Sequence, residues 1–192
     1  PPGLSLGAAS KKAWAKCETV KNVRYYNDWR KTKKTAAENT GPFTSPVTLI
    51  GGLHAVLKNF EKVGYESVYE RSWRLVKATR EAVKAMGLDL LAKRDEDASP
   101  ACTSVMVENA VDVKTFKKLG LTVSGGQDEL KGKIVRLGHI GYMDGWDVLS
   151  QLLALAKAAE AKGKKVDLTK GIEAYWKVVE DPTDQTPADM KV

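Results

Sequence analysis

The hydrophobic period of this chain changes at Gly87, and that change limits the fold more than any other feature of the sequence. Ahead of it, Ile50, Leu53, Val56, Leu57 and Phe60 recur at helical spacing. After Gly64 a second stripe of Val68, Trp73, Val76, Thr79, Val83 and Met86 does the same, and Gly87 closes it. Beyond Gly87 the apolar residues alternate. "ACTSVMVEN" (101–109) and "KIVRLGHIG" (133–141) read as strands, and "LTVSGG" (121–126) as a strand running into the turn "GGQDELKGK". "DVKTFKKLG" (112–120) lies between them as a short helix. "GWDVLSQLLALAKAAEAKG" (145–163) forms a longer one, with Trp146, Leu149, Leu153 and Ala156 on one side. Residues 45–163 therefore read as an α+β unit in the order helix, long helix, strand, helix, strand, strand, helix.

The flanks carry weaker signals. "GLSLGAAS" (3–10) has the look of a short strand, and "KKAWAKCETV" (11–20) that of a helix capped by Ser10. Residues 26–39 are polar and fit neither period. "NTGPFTSPVT" (39–48) joins Gly41, Pro42 and Pro46 to hydroxyl side chains, which marks a loop ending at a helix start. "GIEAYWKVVEDPTDQTPADMKV" (171–192) holds one helix and then a polar tail expected to fray.

Composition excludes some functions. The apolar fraction of 43% and the charged fraction of 29% are those of a globular protein with a real core. No apolar run approaches the roughly 18 to 20 residues of a membrane helix, and no basic segment leads into an apolar one at the start. A cytoplasmic protein is expected. Cys17 and Cys102 stand far apart and read as reduced packing thiols. His54 and His139 are too few and too isolated to imply a metal site, so none is expected. The net charge of +7 raises nucleic-acid binding, but the lysines lie scattered beside acidic or apolar residues, as on solvated faces. Only "VRYYNDWRKTKK" (23–34) mixes aromatic residues with a basic run. No nucleic-acid partner is expected.

Arg136 is the residue that asks for a ligand. It sits inside the alternating run, with Val135 and Leu137 on one face and Ile134, Arg136 and Gly138 on the other. A guanidinium on a strand that helps build a core needs an anion, which is either a carboxylate of this chain or a bound molecule. The Gly-rich "GGQDELKGKI" is no phosphate loop: five residues rather than four separate Gly126 from Gly132, and Ile134 stands where a hydroxyl should follow the lysine. "DEDASPACTS" (95–104) is an acidic surface loop.

Three segments, "PPGLSLGAAS", "TGPFTSPVTLIGGLHAVL" and "LKGKIVRLGHIGYMD", in this order and at about this spacing, resemble the C-terminal half of the class V pyridoxal-phosphate aminotransferases. The subgroup is that of the alanine- or serine-glyoxylate aminotransferases and the soluble hydrogenase small subunit. The resemblance covers about residues 1–162. It implies a fold-type I transferase, with residues 1–44 as the end of the large cofactor-binding domain and linker, 45–163 as the α+β small C-terminal domain, and 164–192 as an extension. It further implies that Arg136, in the position of the family's strand arginine, binds the substrate α-carboxylate. Thr44, in the loop before the small-domain helix, would reach the cofactor phosphate of the neighbouring subunit in a homodimer. Where many members carry a tyrosine this chain has Gly41, so one phosphate contact of the family is missing. The family's Schiff-base lysine stands just before "PPG". The resemblance therefore assigns no catalytic residue to this chain. It makes an N-terminal half with that lysine its expected partner, and implies transamination between a small amino acid, alanine or serine, and a 2-oxo acid such as glyoxylate or pyruvate only when the protein is complete; this chain alone is expected to be inactive. Two readings stay beside it, a non-catalytic accessory or binding subunit with Arg136 in a structural pair, and a basic nucleic-acid-binding protein.

Overall fold

The computed structural model describes residues 3–108, 111 and 113–180. They fall into two compact units, one ending at Lys62 and the other starting at Val63.

The first unit is helical. Helix α1 (Lys11–Thr19) starts where the Ser10 side chain accepts a hydrogen bond from Ala13 N at 3.2 Å, as the sequence indicated. Helix α2 (Trp29–Ala37) is capped by Asp28, whose carboxylate takes Arg30 N at 3.1 Å and the Arg30 guanidinium at 3.0 and 2.8 Å. That side-chain pairing holds the Asp28 carboxyl down at about 2. The rings of Trp14 and Trp29 meet at 6.1 Å between the two helices. Helix α3 (Val47–Val63) follows Pro46, whose carbonyl accepts from Ile50 N at 3.0 Å. The strand expected over residues 3–10 is not there. The segment has no ladder partner among the described residues, and an extended backbone becomes a strand only when a neighbour takes its N–H and C=O groups.

The second unit packs helices on one face of a small antiparallel sheet. Helix α4 (Tyr65–Ala85) leads to Gly87 at φ +80°, a left-handed exit that lets Leu88 N bond back to Val83 O at 3.1 Å. Then come β1 (Asp89–Leu90), β2 (Cys102–Met106), helix α5 (Val113–Lys118), β3 (Ser124–Gly125) and β4 (Ile134–Gly138). Helices α6 (Gly145–Glu160) and α7 (Leu168–Val179) complete it. Strand order is β1-β2-β4-β3, with every neighbouring pair antiparallel. The core is built from Leu75, Ala82 and Val83 of α4, Val105, Val135 and Leu137 of the sheet, Phe116 of α5, Leu152 and Leu155 of α6, and Tyr175 of α7.

Two readings of this unit need correction or addition. On α6 the buried residues include Val148, Gln151, Leu152, Leu155 and Ala159; of the expected side Ala156 is buried and Leu149 packs against the core, whereas Trp146 and Leu153 face solvent. The helix is apolar almost all round, so its period did not select a face. On α4, Arg80 is buried at 3% exposure and was not on the expected stripe. Its Nε donates to Asp95 Oδ1 at 2.8 Å and its Nη2 to the carbonyls of Ala92 (3.0 Å) and Arg94 (3.3 Å), which ties the acidic loop to the helix. The tail expected to fray lies outside the described residues.

Candidate functional site

Strand β4 lies between β2 and β3, and its register sets the site. Arg136 stands opposite Ser104 on β2 and Ser124 on β3. Residues paired across antiparallel strands share a face and bring their Cβ atoms to about 4.5–5.5 Å. The guanidinium therefore rises between two hydroxyl-bearing residues, while Val135 and Leu137 turn the other way into the core.

Arg136 is half-buried. Its Nε donates to the Gly125 carbonyl at 3.0 Å, and none of the ion pairs among the described residues involves it. The contrast with Arg80 is informative: the deeply buried arginine has its internal carboxylate, and the half-buried one is held by a neutral carbonyl. One bond at Nε fixes the plane of the head while leaving the outer Nη edge, the edge that meets a carboxylate in two parallel bonds.

The carbonyl that steers Arg136 belongs to a tight turn. A Cβ at Gly126 would lie 2.0 Å from Leu130 O, so only glycine fits. Gly126 N bonds Ile134 O at 3.2 Å and Lys133 N bonds Leu130 O at 3.0 Å, closing the loop around the 3-10 turn Asp128–Leu130. The Gly-rich stretch is thus the mount for an arginine side chain.

Just past β4, His139 is buried at 1% exposure. Its Nε2 lies 2.9 Å from Thr103 Oγ1, and its Nδ1 has no partner among the described residues. Burial alone holds the ring's pKa down to about 4. Gln151 of α6 donates its Nε2 to Gly138 O at 3.2 Å, so the strand's last carbonyl is taken by a helix side chain.

Thr44 belongs to the other unit. It is exposed, one residue after Phe43, whose ring stacks on Tyr26 at 4.8 Å and sits 4.7 Å below the Lys31 ammonium. Gly41 in the same loop would bring a Cβ to 3.1 Å from Ser45 Oγ and 3.2 Å from Phe43 O, so a larger residue there needs a wider loop.

A soluble hydrogenase 42 kDa subunit from Anabaena cylindrica is 42% identical over 159 residues, 81% of this chain and 41% of that protein. The chain is also similar to the serine–glyoxylate aminotransferase of Arabidopsis thaliana, at 31% identity over 91% of this chain and 45% of the relative. The solved structure of pyridoxamine–pyruvate aminotransferase from Mesorhizobium loti superposes with a TM-score of 0.75 at 33% identity, over 89% of this chain and 46% of that one. The chain's homologues are class V aminotransferases, matched over part of their length. No protein-family model matches the chain, and it spans just under half the length of the relatives it matches. Its helices and antiparallel sheet are those of a C-terminal domain of a pyridoxal-phosphate aminotransferase. Among the described residues no helix is long and apolar enough to cross a membrane.

Ser104, Ser124, Thr103 and Gln151 were not found from the sequence of this aminotransferase domain. Each is placed by strand pairing or helix packing, and no local signal marks it.

Proposed function

We propose that this chain is the C-terminal half of a pyridoxal-phosphate aminotransferase that moves an amino group from a small amino acid, alanine or serine, to a 2-oxo acid such as glyoxylate or pyruvate. Residues 1–44 would close the large domain, 45–163 form the small domain and 164–192 an extension. The N-terminal half supplies the cofactor lysine, so this chain alone is inactive, and the complete protein works as a cytoplasmic homodimer.

The observation that carries the reading is Arg136, a half-buried guanidinium steered by a neutral carbonyl rather than matched to a carboxylate among the described residues. In water-poor surroundings a bidentate pair with the substrate carboxylate fixes both the position and the plane of the amino acid. Thr44 would donate its hydroxyl to the cofactor phosphate, with Lys31 adding positive charge beside Phe43. Bound there, the cofactor supplies the electron sink that lets the amino group leave one carbon skeleton for another. Binding, orientation and exclusion of water fall to this chain.

Arg136→Lys in the complete enzyme tests it. The charge stays but the fork is lost, so kcat/KM for amino acids should fall by roughly one to three powers of ten, about 1.5 to 4 kcal/mol of transition-state stabilisation. Amines without a carboxylate should change much less. An unchanged ratio of activities on an amino acid and its decarboxylated amine would show that Arg136 is not the anchor.

A further inference from the structure

The end of β4 is held by three hydrogen bonds that converge from different elements. His139 N donates to Ala101 O at 3.0 Å, the His139 ring meets Thr103 at 2.9 Å, and Gly138 O accepts from Gln151 at 3.2 Å. Thr103 is paired with Leu137, so its side chain lies on the core face of the sheet and is 2% exposed. A polar pair placed among Leu137, Val135 and Val105 loses its hydration, and an aliphatic pair of the same size would pack there at no such cost. What the polar pair adds is direction. Only the register that sets Thr103 against Leu137 lets the ring reach the hydroxyl, and a slip by one residue would turn Arg136 into the core.

We propose that His139 is a positioning residue whose neutral, Nε2-protonated ring clamps the end of β4 onto β2 and so sets the direction in which Arg136 presents its guanidinium to a carboxylate. This rests on the reading of Arg136 as the substrate anchor.

The tautomer follows from the unpaired nitrogen. If Thr103 donated to Nε2, Nδ1 would carry a proton with no acceptor among the described residues, and a buried orphan N–H is the costlier defect. If Nε2–H donates to Thr103 Oγ1, Nδ1 keeps only a bare lone pair, and the proton left without an acceptor is that of the Thr103 hydroxyl, which can rotate toward another oxygen as a ring N–H cannot. Burial, which holds the ring neutral to about pH 4, acts in the same sense. Only Leu137, which is fully buried, and Gly138 stand between Arg136 and His139, so tilt at the clamp passes to the arginine through a packed strand.

The test has two arms. Long-range proton–nitrogen spectra of the 192-residue chain at neutral pH contain signals from two histidines only, and His54 lies exposed on α3. His139 should give one neutral tautomer with the proton on Nε2; an Nδ1–H form or a mixture of the two would overturn the clamp whatever Arg136 does. In the complete enzyme, His139→Leu and Thr103→Val each remove the bond from one side, whereas His139→Gln can keep a donor near the Nε2 position. The first two should raise KM for the amino acid roughly tenfold with kcat changed less, and leave an amine without a carboxylate unaffected. His139→Gln should recover most of the loss. Equal losses on acid and amine would overturn the positioning role. If Arg136→Lys also leaves the acid-to-amine ratio unchanged, the anchor reading has failed and this inference falls with it, while the tautomer still stands or falls by the spectra.

Discussion

Acidification from pH 7 to pH 4 should cost the second unit about 3 kcal/mol through His139 alone. The ring is 1% exposed and no charged group among the described residues compensates it, so a proton on it would be a bare cation in the core. Burial holds its pKa down to about 4, against 6.5 for a free ring. Each unit of difference corresponds to about 1.4 kcal/mol, which gives about 3 kcal/mol for the gap. Above pH 6.5 neither the folded nor the unfolded chain binds this proton, and His139 adds no pH dependence. Between 6.5 and about 4 the unfolded chain takes up a proton that the folded chain refuses. Stability therefore falls as pH falls, by at most about 1.4 kcal/mol per unit, and the loss levels off below 4. The lowered carboxyls of Asp89, Asp95 and Asp167 lose their contribution only as pH drops below 3.8, outside this window. Urea unfolding between pH 7.5 and 4, followed on the amide signals of Val135 and Leu137, measures the slope. His139→Gln, with no titrating ring, should flatten it. Parallel curves for the two proteins would refute the argument.

Three substitutions test other parts of the structure. Gly126→Ala drives a Cβ onto Leu130 O, and should cost about 1–3 kcal/mol in thermal unfolding while raising KM for the amino acid, because the displaced turn carries the carbonyl that steers Arg136. Arg80→Ala leaves the carbonyls of Ala92 and Arg94 without their donor and should lose about 3 kcal/mol in denaturant titration; Asp95→Asn should also destabilise, because the buried Arg80 loses its carboxylate, but by less, because the Asn Oδ1 can still accept from Nε. Thr44→Val in the complete enzyme should weaken cofactor retention by about 1.5 to 3 kcal/mol, read from the cofactor's absorbance after dialysis, while leaving the melting point of the cofactor-free protein in place.

Legibility of the fold followed the reach of each signal. Helices α1, α3, α4 and α6 could be read because apolar spacing and caps act within a few residues, and Ser10 and Gly87 do what their residue types foretell. Helix α2 could not, since "WRKTKKTAA" has no apolar stripe and announces itself only through the cap Asp28. Strand β1 is two residues long, below any period, and exists because Asp89 and Leu90 pair with Met106 and Val105. The same limit applies to the site. Arg136 was visible as a charge inside an alternating run, but its neighbours were not. Ser104 and Ser124 lie thirty-two and twelve residues away in the chain and reach it only through register. A buried arginine does meet an internal carboxylate in this protein, as elementary electrostatics requires; the arginine in question is Arg80, hidden on a helix.

The charge distribution bears on how Arg136 could select an anion. Residues 1–62 hold eleven Lys and Arg against four Asp and Glu, and residues 63–192 hold twenty of each, so the whole excess of +7 lies in the first stretch. The unit that carries Arg136 is neutral in sum, and at physiological salt a charge is screened within about 8 Å. No long-range field of that unit can gather carboxylates at the strand. Attraction there has to come from one guanidinium, aimed by Gly125 and flanked by two serines. Such a fork meets carboxylates and tetrahedral oxyanions alike in two parallel bonds, so the net charge of the anion decides how far salt weakens its binding there. Raising ionic strength should therefore weaken phosphate or sulfate competition at Arg136 more than it weakens amino-acid binding. Inhibition constants for sulfate measured against KM from low to high salt decide it, and an equal loss for both would refute the argument.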